Sequence, residues 1–172
     1  MSLESMQDLL LEELRDLYNA EQQLTTALPK MVEKTSSPTL RQAFQTHLQE
    51  TEGHVTRLEQ IFESLAEKAT GKKCKGMEGL IDEGEDMLAE KGSEAVRDAG
   101  IIAAAQRIEH YEIAAYGCAL NFAQLLGRQD IASLLQQTLA EERAADEKLS
   151  RIAEHEVNSN ALTSPATSGA RL

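Results

Sequence analysis

Four long stretches of this chain carry apolar side chains at spacings of three and four, and Pro38, Gly92 and Gly127 fall at their ends. The first, from about residue 2 to 34, has Leu10, Leu14, Leu17, Leu24, Leu28 and Met31 in register. That period places one apolar stripe along an α-helix. A second stretch opens at Ser37-Pro38, an N-cap followed by Pro at the first helical position, and runs to about residue 68. A third long stretch spans about 94–126 and stops at Gly127; a fourth spans about 130–156. Pro29 should kink the end of the first helix. Between the second and third stretches lies a shorter helical segment at about 77–91, and residues 158–172 lack periodicity and read as a disordered tail. The bundle itself should occupy residues 1–157.

The links between helices set the topology. Those near residues 36 and 128 are only a few residues long, so each flanking pair should form an antiparallel hairpin. The middle link, residues 69–92, is much longer. A ~30-residue helix is about 45 Å long. About 8 extended residues at ~3.3 Å each plus ~15 helical ones at 1.5 Å cover that span. The expected fold is therefore all-α: a four-helix bundle of two antiparallel hairpins joined by a long crossover that carries a short fifth helix.

Each long stripe is interrupted by carboxylates at mid-length. Glu21 stands among leucines in the first, Glu50 and His54 interrupt the second, Glu109 and Glu112 the third, and Glu142 the fourth, with Asp146 one turn later. Their heights agree. With the hairpin turns at residues 36 and 128, Glu21 lies 15 residues before its turn and Glu50 14 after, while Glu112 lies 16 before and Glu142 14 after. Each pair is level to within ~3 Å. Four buried carboxylates at one level cannot all stay ionised without compensation. Two divalent cations would supply it. Oxygen-rich ligation with some imidazole suits iron first, then manganese, with zinc a further alternative.

In this reading Glu21, Glu50, Glu112 and Glu142 are the core ligands, completed by His54, Glu109 and Asp146. Tyr18, His47, His110 and Tyr116 are supporting candidates around them, each also readable as core or interface packing with a satisfied polar group. Glu141 falls off the stripe and reads as solvated.

These residues lie in segments that resemble the ferritin-like superfamily, and within it the bacterial YciE/YciF group of stress-associated proteins. The resemblance covers about residues 3–157. It rests on LYNAEQQLTTALPKM at 17–31, FQTHLQETEGH at 44–54, GMEGLIDEG at 76–84, RDAGIIAAAQRIEHYEIAAYG at 97–117 and TLAEERAADEKL at 138–149. The spacing of Glu109, Tyr111 and Glu112 is also similar to a di-iron segment of rubrerythrin. The resemblance implies a di-metal carboxylate fold with iron or peroxide chemistry. Di-iron members place His three residues after Glu on two helices. Here Gly53 and Ala145 occupy those offsets, and His54 and Asp146 come one residue later.

Composition narrows the alternatives. A net charge of −12 argues against nucleic acid and anionic membranes, since phosphate contact needs clustered Lys and Arg. GKKCK at 71–75 is the one basic cluster and reads as a solvated loop. Cys74 and Cys118 form no motif pair, so a reducing, cytoplasmic setting is expected. MSLESMQDLLLEEL is acidic and amphipathic, unlike a secretory leader, and no apolar run approaches ~20 residues. Two functional readings stand at this point. One is a di-metal redox protein; the other is a non-catalytic bundle acting through self-association or a protein partner, its carboxylates protonated or hydrogen-bonded. A homodimer is the expected assembly by base rate, with no electron donor identifiable.

Overall fold

The computed structural model describes residues 3–164, which are almost wholly helical and contain no strand. Helix α1 spans Met6–Lys34, α2 Pro38–Ser64, α3 Lys75–Ala89, α4 Glu94–Leu125 and α5 Gln129–Ile152. The local signals act where the sequence put them. Ser5 caps α1 by accepting from the Asp8 N–H, and Ser37 caps α2 by accepting from the Leu40 N–H at 3.2 Å. Gly127, at φ +71°, lets the Arg128 N–H turn back to the Ala123 carbonyl at 2.9 Å and ends α4.

Helix α1 packs on α2 and α4, and α5 closes the square on α2 and α4. The apolar core comes in two blocks that reveal the directions. One joins the first half of α1 (Leu10, Leu14, Leu17) to the ends of α2 (Leu58, Phe62) and α4 (Ala119, Ala123) and the start of α5 (Ile131, Leu135). The other joins the second half of α1 to the starts of α2 and α4 and the end of α5. Every pair of adjacent helices is therefore antiparallel. The four-helix bundle of two hairpins is the fold expected, and between its two apolar blocks lies a polar middle layer.

The crossover that carries α3 is fastened to α1. The Cys74 N–H donates to Asn19 Oδ1 at 2.7 Å, Gln23 Nε2 donates to the Cys74 carbonyl at 3.1 Å, and the Lys72 N–H donates to the Arg15 carbonyl at 3.0 Å. The fit is close, since a Cβ on Gly71 would lie 2.8 Å from Asn19 Cβ. The basic cluster is thus not merely solvated: Lys72 and Lys73 pair with Glu12 and Glu78, and Cys74 is buried at the N-cap of α3.

Beyond α5 the helical backbone runs past the boundary expected at residue 157. After a π-helical turn, Ala153–Val157, it continues as α6, Asn158–Thr163. Buried Val157 joins the core block, and Glu156 accepts from the Ser37 hydroxyl at 2.6 Å, so tertiary contacts hold a segment with no stripe of its own. Residues 165–172 of the expected tail lie outside the described residues.

The same end of the bundle has a buried clasp. Asp98 of α4 accepts from the Ser36 N–H at 3.0 Å, the Ser36 hydroxyl at 2.6 Å and the Ser37 N–H at 2.7 Å. Asp98→Ala leaves those half-buried donors without their anion. A loss of about 3 kcal/mol is expected, read as a lower urea midpoint with an unchanged m-value; an unchanged midpoint would contradict the clasp.

Candidate metal centre

The middle layer is built by one short row from each long helix. Glu21 comes from α1; His47, Thr51 and His54 from α2; Glu109, Glu112 and Tyr116 from α4; Thr138 and Glu142 from α5, all buried. Each row continues the apolar stripe of its helix, so the packing that buries the leucines also turns these side chains inward. Their ligand atoms fall into two groups, each with atoms within 4.8 Å of one another: His47, Glu109, Glu112 and Glu142, and Glu21, His54 and Glu142. Glu142 belongs to both.

The contacts within the groups are short yet poorly directed. His54 Nδ1 lies 2.9 Å from Glu142 Oε1 and 3.3 Å from Glu21 Oε1; His47 Nε2 lies 3.4 Å from Glu109 Oε1 and 3.9 Å from Glu142 Oε2. None of these has hydrogen-bond alignment. Both oxygens of Glu112 and of Glu142, both nitrogens of His47, His54 Nδ1 and one oxygen each of Glu21 and Glu109 are buried with no hydrogen-bond partner. Unsatisfied buried polar atoms cost about 1–3 kcal/mol each. Convergent carboxylate and imidazole groups are what divalent cations take, so the residues present could hold a metal ion.

The electrostatics carry the same strain. Burial, then the neighbouring carboxylates, pushes Glu112 well above the usual carboxylate range. Glu109 is pushed up by burial as well, with His47 only partly offsetting it. Burial also raises Glu21, against the pull of His54. Burial acts to lower both histidines, but the carboxylates win: His47 is pushed up to about 9, chiefly by Glu109, and His54 to about 11, by Glu142 and Glu21. Glu142 alone in the cluster moves down. Burial opposes its charge, but His54 and His47 outweigh it.

Each histidine turns one nitrogen to the centre and the other to a rim carboxylate. His54 Nε2 lies 2.9 Å from Glu141 Oε2, and Arg57 grips that carboxylate with two bonds of 2.6 and 2.7 Å. This holds a proton on the outer nitrogen of His54, so that Nδ1 is the nitrogen that would bind a ligand once its own proton leaves. His47 Nδ1 lies 3.5 Å from Glu50 Oε2. Tyr116, wholly buried, donates a short hydrogen bond to Glu21 Oε1.

Five of the seven expected ligands are brought together: Glu21, His54, Glu109, Glu112 and Glu142. Glu50 and Asp146 stand outside both groups. The buried row on α2 is 47, 51, 54, 58, and at 100° per residue Glu50 lies about 70° round from it, with its side chain 38% exposed. Asp146 is turned by a similar angle toward α4, where it accepts from Gln106 Nε2 at 3.0 Å and faces His110 at 3.5 Å. Among the supporting candidates, Tyr116 holds its place and His47 moves into the centre itself. Tyr18 instead donates to Glu59 at 3.0 Å and packs edge-on to Phe62, and the His110 side chain is 69% exposed. Glu141, expected to be solvated, is instead half-buried between His54 and Arg57, and Arg57 was not among the candidates. Arg57 follows His54 by three residues on one helix face, which was the available signal.

Known proteins share this architecture. The crystal structure of the Escherichia coli stress protein YciF superposes with a TM-score of 0.86 at 45% identity, covering 90% of this chain and 98% of that one. Over their sequences, YciF of E. coli strain K12 is 44% identical across 162 residues, 94% of this chain and 98% of its own length. YcfI of Rhodopseudomonas palustris gives a TM-score of 0.85 at 45% identity, covering 87% and 95% of the two chains. A Xanthomonas campestris protein at 20% identity and a TM-score of 0.75, covering 92% and 97%, shares the fold. The profile of DUF892, a domain of unknown function, matches residues 5–162, and on that match and these identities the chain belongs to the YciF-type DUF892 family.

Proposed function

We infer that this protein is a two-metal carboxylate protein of the stress response, with iron the favoured occupant and manganese or zinc the alternatives. The observation that carries the reading is the set of buried, convergent oxygen and nitrogen atoms without hydrogen-bond partners on Glu21, His47, His54, Glu109, Glu112 and Glu142. The stress connection follows from the E. coli relative, which is described as a stress protein. Iron held there supplies electron exchange with a small oxidant, as in Fe(II) oxidation or peroxide reduction.

The protein's own residues do the rest. Glu142, the charged member of the cluster, sits between the two histidines and would contribute to both ligand groups. Burial favours the protonated forms of Glu109 and Glu112, whose protons a bound cation would displace. Tyr116 holds its proton toward Glu21 Oε1 and keeps that oxygen oriented. The Arg57–Glu141 pair keeps the His54 ring in place. The leucine blocks above and below exclude water from the layer.

Elemental analysis of protein purified without chelator, then loaded anaerobically with Fe(II), tests the reading. About two metals per chain are expected. Glu112→Ala should lose the metal of the His47 group and keep about one per chain, whereas Glu50→Ala, at the rim, should retain both. Protein that takes up no metal would leave the non-catalytic bundle as the function.

A further inference from the structure

One cavity connects the centre to the surface. It lies between α2 and α5 and has a volume of about 70 Å³. Its inner end is formed by buried His47 and Glu109, which belong to the metal centre. Its outer end is formed by half-exposed Glu50, Lys148 and exposed Ala144. Between them the wall is apolar: Ala43, Phe44, Ala145 and Leu149. Three of the lining residues are alanines, and their small side chains leave the space open.

We propose that this cavity is the access port of the centre, and that it admits only neutral molecules of up to about three heavy atoms. The proposal rests on the two-metal reading for its purpose. Size and charge carry it. A cavity of about 150 Å³ holds benzene, with six heavy atoms; half that volume holds a molecule on the scale of dioxygen or hydrogen peroxide. An octahedral aqua ion, with six waters around its metal, does not fit. One acidic and one basic group at the mouth, Glu50 and Lys148, leave it without net charge, and the apolar wall offers an ion no replacement for its hydration shell. Glu50 thus acquires a place on the route rather than in the ligand set.

Two neutral paramagnetic probes of different size test this on metal-free protein with labelled methyl groups. Dissolved dioxygen should relax the methyls of Ala43, Ala145 and Leu149 at least threefold more than those of Leu14 and Ala119 in the opposite core block. The bulky nitroxide TEMPOL should not distinguish them. Ala144→Phe should abolish the dioxygen effect by filling the cavity, and Ala145→Val serves the same purpose should that variant fail to fold. Equal relaxation by dioxygen at both sets of methyls overturns the port, and selective relaxation by TEMPOL overturns the size limit. Both readouts are independent of metal, so failure of the centre to bind cations would sink the proposed function and leave this result standing.

Discussion

Metal-free protein should become less stable as the pH rises from 5.5 to 8.5, and metal should reverse that slope. Glu21, Glu109 and Glu112 have folded pKa values above their ordinary 4.5, and His47 and His54 are raised from 6.5 to about 9 and about 11. For each, the protonated form is favoured by folding. Its contribution is complete below the unfolded pKa and is lost as the pH rises toward the folded one. Glu142 and Glu141, which move down, act oppositely, but their contribution is lost only on acidification below about 4.5.

Cations displace these protons, so their affinity must rise with pH. At a metal concentration of 1,000 times Kd the native state gains about 4 kcal/mol for each occupied site. For a chain of this size that corresponds to roughly 8–16 °C in Tm per site. Melting curves in chelator and in excess Co(II), across this pH range, give both slopes. The Glu109→Gln, Glu112→Gln double variant should flatten the metal-free slope. A metal-free Tm that holds level or climbs with pH would refute the assignment of protonated carboxyls.

Glu142→Ala should have the largest effect of any single substitution. Glu142 is the one residue common to both ligand groups, and it is the nearest anion to His54 Nδ1, at 2.9 Å. Its removal should weaken both metal positions more than 100-fold, whereas loss of Glu21 or Glu112 strikes one group directly. It should also damage the metal-free protein. Deleting one partner of a buried ion pair costs about 3–5 kcal/mol, because the other charge stays behind. Roughly 6–20 °C should be lost from Tm. Glu50→Ala, at the rim, should stay within about 0.5 kcal/mol of the parent. A Glu142→Ala protein that binds two metals with parental affinity would rule out a shared bridging carboxylate. Thermal melts and Co(II) absorbance titrations on the two variants read both quantities.

The contrast between Glu142 and Glu50 also shows how far a one-dimensional stripe can be trusted. Both were placed at the same height, and height was right: rise per residue is constant along a helix, so counting from a turn transfers directly into space. Rotation was the weak coordinate. A stripe read at spacings of three and four leaves tens of degrees of freedom, and neighbouring residues lie 100° apart. On α2 the choice between Glu50 and the row His47, Thr51, His54 turned on such an angle. Helix α5 posed the same choice at Asp146, which the packing of α4 drew toward Gln106 and His110.

Leucine spacing, the Ser-Pro and Gly boundaries and the unequal link lengths determined that this chain forms a bundle of two hairpins with a crossover. Those are local properties, set by backbone sterics and by the need to bury one face of each helix. The presence of an acidic layer at mid-height was equally legible, because burial of a carboxylate in a leucine stripe is visible without coordinates. Tertiary structure alone decided which side chains enter that layer. It brought His47 inward and left Glu50 at the rim, anchored His54 through Glu141 and Arg57 from two helices, and extended the last helix past Val157. These outcomes depend on how helices turn against one another, which is settled by the packing of all four at once and is written in no single stretch of the chain.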